Sequence, residues 1–287
     1  MVDLHVADSS IKSDRKHYDV DPLLSELSKI IWRETSAQDP SNFHLRGLWR
    51  VDYRYRPNAL ERDLAYSMVY AQARRIGCAY VDFASHDVDD LWLGSDSRKL
   101  SDNAPAALRI AALDTAFAEL GREPSEMFHF EGDAAEKAVE RARIICSAVI
   151  DEARRRGARR LLNVGVMGNF VPWLREAGME YVGSDYDPAL ISGGINGSPV
   201  LDGQGTLDAI ADADIVLATG MTLSTGTLST IIDSCKQSKA ALVLFAATGS
   251  FFAQTYCREL GVDVVLAEPQ PQYMFTGSSR IELHRAP

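Results

Sequence analysis

The stretch from 161 to 188, LLNVGVMGNFVPWLREAGMEYVGSDYDP, constrains the fold more than any other part of the chain. Leu161, Leu162, Val164 and Val166 form a short apolar run, as expected of a strand covered on both faces. Gly165 and Gly168 punctuate its end, and Asn169 is placed to cap a helix carrying Phe170, Val171, Trp173 and Leu174. Gly178 stops that helix, Tyr181 and Val182 begin a second strand, and Asp185 and Asp187 stand just past its end. Strand, glycine turn, helix and strand in this order open a Rossmann-like βαβ unit. Such units bind ligands outside the carboxyl ends of their strands.

The alternation continues downstream. The glycine-rich stretch from Ile191 to Gly205 reads as a mobile loop, and Leu207 to Ala211 as a short helix. Asp214 to Ala218 is a strand ending in the hydroxyl-rich run Thr219 to Thr227, and a helix follows to about Cys235. Ala241 to Phe245 is a strand ending in Ala247 to Ser250, then comes a helix from Phe251 to Leu260 and a strand from Val262 to Leu266. Arg280 to His284 alternates and reads as an edge strand. The predicted fold class is α/β, with a mostly parallel Rossmann-like sheet in the C-terminal half and a smaller α+β N-terminal domain.

In the N-terminal half, residues 1 to about 18 are polar and aperiodic. Asp21-Pro22 opens a helix with Leu23, Leu24, Leu27, Ile30 and Ile31 at helical spacing. Phe43 to Tyr55 reads as a strand or hairpin whose arginine-rich face is either solvated or an anion site. A helix is expected from about Ala59 to Ile76, a strand from Cys78 to Phe83, and an amphipathic helix from Asn103 to Leu120. Arg122 to Gly132 reads as a connection, and Asp133 starts a helix to about Arg156 with Ala135, Val139, Ala142, Ile145, Val149 and Ala153 on one face. The predicted domains are residues 1–132 and 133–287, with the division near Gly132.

Composition bounds the function. A formal charge of -10 argues against non-specific binding to nucleic acid or to an anionic membrane. No apolar run approaches the roughly 20 residues needed to span a bilayer, and the N-terminus lacks a secretory pattern, so the expected compartment is the cytoplasm. The four cysteines (Cys78, Cys146, Cys235, Cys257) lie far apart without a CxxC pair and read as reduced, buried thiols. The expected partner is a small-molecule substrate, with a homodimer left open.

Three loops should meet above the sheet: Gly165 to Asn169, Ser184 to Pro188, and Thr219 to Thr227. The first lacks the full GxGxxG pattern, and its bulky Val166 and Met167 disfavour the close backbone approach that a pyrophosphate needs. Asp185 lies 20 residues after Gly165, where an acid accepts from ribose hydroxyls. The alternative is that Asp185 and Asp187 only cap the loop before Pro188. The predicted cofactor set is Gly165, Gly168, Asn169, Asp185, Tyr186, Asp187, Thr219 and Gly220, and the substrate set is Thr222, Ser224 and Thr225. Those hydroxyls either offer donors to a ligand or cap the following helix. The chain has no GxSxG elbow, HExxH or Walker lysine, so the site orients a ligand but supplies little acid–base power. Apart from it, His86, Asp87, Asp89 and Asp90 form either a divalent-metal candidate or a set of turn caps.

Val164 to Pro172, Asp185 to Pro188, and Ala213 to Leu223 with Gly226 to Leu228 resemble the Rossmann-like domain of the heavy-metal chelation family, whose biochemical role is poorly defined. The likeness runs from about residue 133 to 287 and extends in part to Ala247 to Ser250. It implies an N-terminal domain similar to the enolase N-terminal fold, whose Ala-rich helix is Asn103 to Leu120. The first loop and Asp185 also look like the S-adenosylmethionine site of class I methyltransferases, with Asn163 where those enzymes carry an acid. Such a sulfonium ligand brings its own leaving group and needs positioning more than acid–base catalysis. The reading is a small-molecule enzyme, an S-adenosylmethionine-dependent transferase or cyclase, acting by alkyl or aminocarboxypropyl transfer or by cyclisation in specialised metabolism or chelator biosynthesis. The alternatives are a metal or metal–chelate binding protein and, less favoured, an NAD-type oxidoreductase.

Overall fold

The computed structural model describes residues 20–55, 64–81, 90–271 and 275–287. The chain opens with helix α1 (Leu23–Glu34), whose Leu23, Leu24, Leu27, Ile30 and Ile31 are all buried. Strands β1 (Gly47–Tyr55), β2 (Leu64–Gln72) and β3 (Ile76–Val81) form an antiparallel meander, and α2 (Ala106–Phe117) packs against it. The helix expected over 59–76 is therefore corrected: 64–72 is a central strand. It is buried on both faces, with Val69 and Ala71 toward α2 and Met68 and Tyr70 in a second cluster with Tyr53 and Cys78. A short apolar run covered on both sides lacks the alternation that separates strand from helix. Gly77 lets α2 lie on bare strand backbone, since a Cβ there would come within 3.0 Å of Ala111 O and Thr115 N.

Strand β4 (Glu126–Phe130) follows, within a stretch read as a connection. Helix α3 (Ala134–Arg156) starts on a capping box formed by Asp133 and Glu136 and ends on Gly157 at φ 66°. Next come β5 (Arg160–Val164), α4 (Val171–Glu176), β6 (Glu180–Asp185), α5 (Pro188–Gly193), β7 (Val200–Asp202) and α6 (Thr206–Ile210). The expected 191–205 loop is thus corrected to a helix end and a strand, with its glycines at the helix end and in the turns on either side of the strand. Then follow β8 (Ile215–Thr219), α7 (Met221–Ser224), α8 (Leu228–Ser238), β9 (Ala241–Ala246) and α9 (Ala253–Thr255), with one π turn over Tyr256–Leu260. Strands β10 (Val264–Ala267) and β11 (Ser279–Arg285) complete the sheet.

The large sheet has the order β4-β11-β10-β9-β8-β5-β6-β7, and β5 to β10 are all parallel. The fold is mixed α/β with a mostly parallel sheet in the C-terminal half. Strand β11 is interior, not an edge, because β4 pairs antiparallel to its outer side. β4 precedes residue 132 and yet belongs to this sheet. One sheet face packs on α3; the other shares a continuous core with α1 and α2.

Strand β3 is tied directly to the carboxyl ends of β8 and β9, which fixes the small sheet over the large one. Tyr80 N donates to Thr248 Oγ1 at 2.9 Å, Ser224 Oγ donates to Tyr80 O at 2.9 Å, and Gly249 N donates to Cys78 O at 3.2 Å. Asp114 on α2 clamps the same junction, accepting from Cys78 N at 3.0 Å and Phe251 N at 2.8 Å. Burial pushes its carboxyl up to about 7, although both N–H donors pull it down. The four cysteines are buried free thiols. Among the described residues no helix is long and apolar enough to cross a membrane.

Candidate ligand-binding site

The chain runs outward from β5 through β6 to β7, then returns to place β8 on the other side of β5. The loops after β5 and β8 therefore diverge, which opens a crevice at the carboxyl edge. A cleft of about 470 Å³ lies there. Its walls come from the ends of β5, β6, β8 and β9 and the 203–207 turn, with Tyr66 and Tyr80 of the small sheet and Arg141 of α3.

Of the residues singled out from the sequence, Gly165, Asp185, Tyr186, Thr219, Gly220, Thr222 and Thr225 line this cleft. Gly165 takes φ 77°, and a Cβ on it would come within 3.0 Å of Thr219 Oγ1. That position needs glycine for both conformation and space. A Cβ on Gly220 would lie 2.9 Å from Thr248 O. Asp185 Oδ2 accepts from Val166 N at 2.9 Å, and its Oδ1 accepts from Asp187 N at 3.0 Å. The carboxylate thus ties the glycine turn to the end of β6, and each oxygen keeps a second acceptor position. Tyr186 lays its ring on Gly203, where a Cβ would be 2.7 Å from Cδ1.

Gly168, Asn169, Asp187 and Ser224 lie outside this lining. Gly168 packs against Ile195, whose Cδ1 would lie 2.7 Å from a Cβ placed there. Asn169 does not cap α4: it sits in a preceding 3-10 turn, exposed, with Nδ2 3.4 Å from Ala138 O. Asp187 caps α5 through Ala189 N at 2.9 Å, and Ser224 latches onto Tyr80 O. Within the hydroxyl-rich loop, Thr222 Oγ1 donates to Thr219 O at 2.7 Å, and Thr225 and Thr227 turn toward Thr222 O at 3.3 Å. Local capping occupies these groups, as Ser and Thr commonly do near helix starts. Thr219 differs: its buried Oγ1 has no hydrogen-bond partner among the described residues.

His86, Asp87 and Asp89 fall outside the described residues, and Asp90 is exposed in a single 3-10 turn. Among the described residues, no three His, Cys, Asp or Glu side chains come together to hold a metal ion. Burial also pushes the Cys146, Cys235 and Cys257 thiols up to about 12, away from the thiolate that binds soft metals. No step through a metal follows from these residues.

Sequence reasoning missed Tyr66, Tyr80, Gln204 and, above all, Arg141. The expected apolar face of α3 is corrected in part: Val139 is 57% exposed, while Lys137 and Arg141 are 0% and 3% exposed. A signal existed in the helical spacing of Lys137, Arg141, Ile144 and Ala148, which carries two cations into the buried stripe. Arg141 Nε donates to Glu268 Oε2 at 2.9 Å, and its guanidinium carbon lies 4.5 Å from the centre of the Phe245 ring.

Residues 148–267 match the family model DUF364, described as "Putative heavy-metal chelation". A DUF364 protein of unknown function from Pyrococcus horikoshii superposes with a TM-score of 0.59 at 13% identity, covering 92% of this chain and 100% of its own. A second, from Desulfitobacterium hafniense, gives 0.55 at 14% identity over 88% and 99%. At these identities the likeness establishes the fold. No curated protein matches the sequence.

Proposed function

Because residues 148–267 match the DUF364 family model and a cleft lies at the sheet's switch point, we propose that this cleft binds an adenosyl ligand. The reading is a small-molecule enzyme that uses S-adenosylmethionine as co-substrate. The observation that carries it is Asp185, which lines the cleft at the end of β6 with an acceptor position left on each oxygen. A ribose diol fits such a carboxylate. Diphosphate does not fit the neighbouring turn as well. Gly165 N is held by Ser184 O at 3.0 Å and Val166 N by Asp185, so two amides that could cradle phosphate are occupied. This favours an adenosyl thioether or sulfonium over NAD.

S-adenosylmethionine supplies an activated carbon bound to a sulfonium, which a nucleophile attacks as the thioether leaves. The chain's part is orientation. Asp185 would hold the ribose and Tyr186 and Leu207 the apolar face of the base. Tyr66 and Tyr80 cover the cleft from the small sheet and limit water. Among the described residues, the titratable lining side chains are three tyrosines, Arg141 and Asp185, a set poor in general acids and bases near neutrality. A ligand with its own leaving group suits that set.

The test is calorimetric titration of S-adenosylhomocysteine and NAD into wild type and Asp185→Ala. Hydrogen bonds to a charged acceptor contribute about 1.5–3 kcal/mol each, so loss of the carboxylate should weaken adenosyl binding at least about tenfold. Asp185→Asn, which keeps one acceptor, controls for the loop contact to Val166. Equal binding by folded variants and wild type, or tight NAD binding, ends this reading. The metal-binding alternative would gain if purified protein held stoichiometric metal that His86→Ala removed.

A further inference from the structure

A second cleft, of about 540 Å³, lies beyond the loop that follows β9. The two clefts share no lining residue: Ala247 and Thr248 line the first, Ser250 and Phe251 the second. Strand β11 supplies the charged wall of the second. Successive side chains of a strand alternate between faces. Ile281 and Leu283 are buried in the core on the α3 side, so Arg280, Glu282 and His284 form a row on the opposite face, and all three line this cleft. Glu282 is 9% exposed and His284 5%. Arg280 Nε lies 3.1 Å from Glu282 Oε1, and His284 Nε2 lies 3.8 Å from Oε2. A carboxylate oxygen has two acceptor positions, so Glu282 keeps capacity beyond these neighbours, and a guanidinium engaged through Nε keeps its terminal donors. Ser250 adds a buried hydroxyl with no hydrogen-bond partner among the described residues.

Charge is balanced along this lining. Each of its guanidiniums already has a carboxylate neighbour: Arg75 has Glu119, Arg122 has Glu34 and Arg280 has Glu282. A purely anionic ligand would meet Glu282 and Glu123, and a purely cationic one would meet three guanidiniums. A ligand that carries both charges close together, with no net charge, suits such a wall. The Arg280–Glu282 pair is itself a dipole, shielded at its negative end and open at its positive end. An α-amino acid bears its ammonium and carboxylate on one carbon, so it can lie antiparallel along that pair. The carboxyl end of α2, which borders the cleft through Phe117, adds the negative end of a helix dipole on the ammonium side of the balance. Phe117, Met127 and Phe251 give the lining apolar surface for a side chain. We propose that this cleft binds a free α-amino acid with an apolar side chain, its ammonium on Glu282 beside His284 and its carboxylate on Arg280. The proposal is independent of the adenosyl reading, because the two clefts have no residue in common.

The experiment is calorimetric titration of L-leucine, L-methionine and L-phenylalanine into the protein. The decarboxylated amine and the deaminated acid of each side chain serve as controls. At least one amino acid should bind, at least about tenfold more tightly than its own amine and its own acid, since each lost hydrogen bond to a charged group is worth about a factor of ten or more. Glu282→Gln should weaken that amino acid at least about tenfold, and Arg280→Gln should erase its advantage over the amine. Met127 pairs with Glu282 across β4 and β11 and is 42% exposed, so Met127→Trp fills the cleft from a position that tolerates bulk and should abolish binding. That variant carries the test if Glu282→Gln does not fold. If no amino acid binds, if an amine or an acid binds as tightly as its amino acid, or if binding survives Met127→Trp, the proposal is overturned.

Discussion

Replacing Gly165 by alanine tests how the glycine turn is held. The backbone at φ 77° lies in the left-handed region, where a Cβ costs roughly 1–2 kcal/mol. The same Cβ would come within 3.0 Å of Thr219 Oγ1 on the neighbouring strand. Thr219 is 7% exposed and has little room to retreat, so overpacking adds roughly 1–3 kcal/mol. Gly165→Ala should therefore lose about 2–5 kcal/mol, measured by urea unfolding followed by circular dichroism. Thr219→Ala separates the two contributions. It deletes a buried hydroxyl that has no partner, so alone it should be neutral or slightly stabilising in the ligand-free protein. Combined with Gly165→Ala it should relieve the clash and leave only the conformational cost of about 1–2 kcal/mol. Strict additivity of the two changes, or a Gly165→Ala cost below about 0.5 kcal/mol, would refute this account.

Asp114 gives a pH dependence. Burial pushes its folded carboxyl up to about 7 from the ordinary 3.8, so between these the folded state holds a proton that the unfolded state has released. Its contribution to stability is full below about 4 and falls as pH rises through 7; the stability of Asp114→Asn relative to wild type should improve across that window, and parallel unfolding curves would count against it. Arg141→Met alone strands the buried Glu268 carboxylate and should cost about 3–5 kcal/mol in urea unfolding, most of it recovered when Glu268→Gln is added. Ser224→Ala removes the bond to Tyr80 O, so it should cost about 0.5–1.5 kcal/mol and raise proteolysis near β3.

Much of the parallel sheet was legible because its strands are short apolar runs closed by glycine or hydroxyl turns. Leu161 to Val164 and Ala241 to Ala246 are examples. The signal failed where burial was unusual. The strand 64–72 is covered on both faces and carries no alternation, so it resembled a helix. Glu126–Phe130 looks like a loop because its residues are mostly exposed and its pairing partner, β11, lies far along the chain (Ser279 pairs with Phe130, Leu283 with Glu126); no local pattern encodes that contact. Residues of the candidate site were visible where loop geometry fixes them, as at Gly165, Asp185 and Thr219. Arg141 was not, because a cation in a helix is by default solvated, and only the packed sheet shows that this one is buried. Tyr66 and Tyr80 enter the cleft only through the docking of two sheets, which sequence spacing does not report.

The most direct test of the adenosyl reading is a crystal structure of the protein grown with S-adenosylhomocysteine. The account expects the ligand in the cleft between the Gly165 turn and Thr219, with ribose hydroxyls within hydrogen-bond distance of Asp185. A ligand bound elsewhere, or an empty cleft at a concentration that saturates the protein in solution, would contradict it.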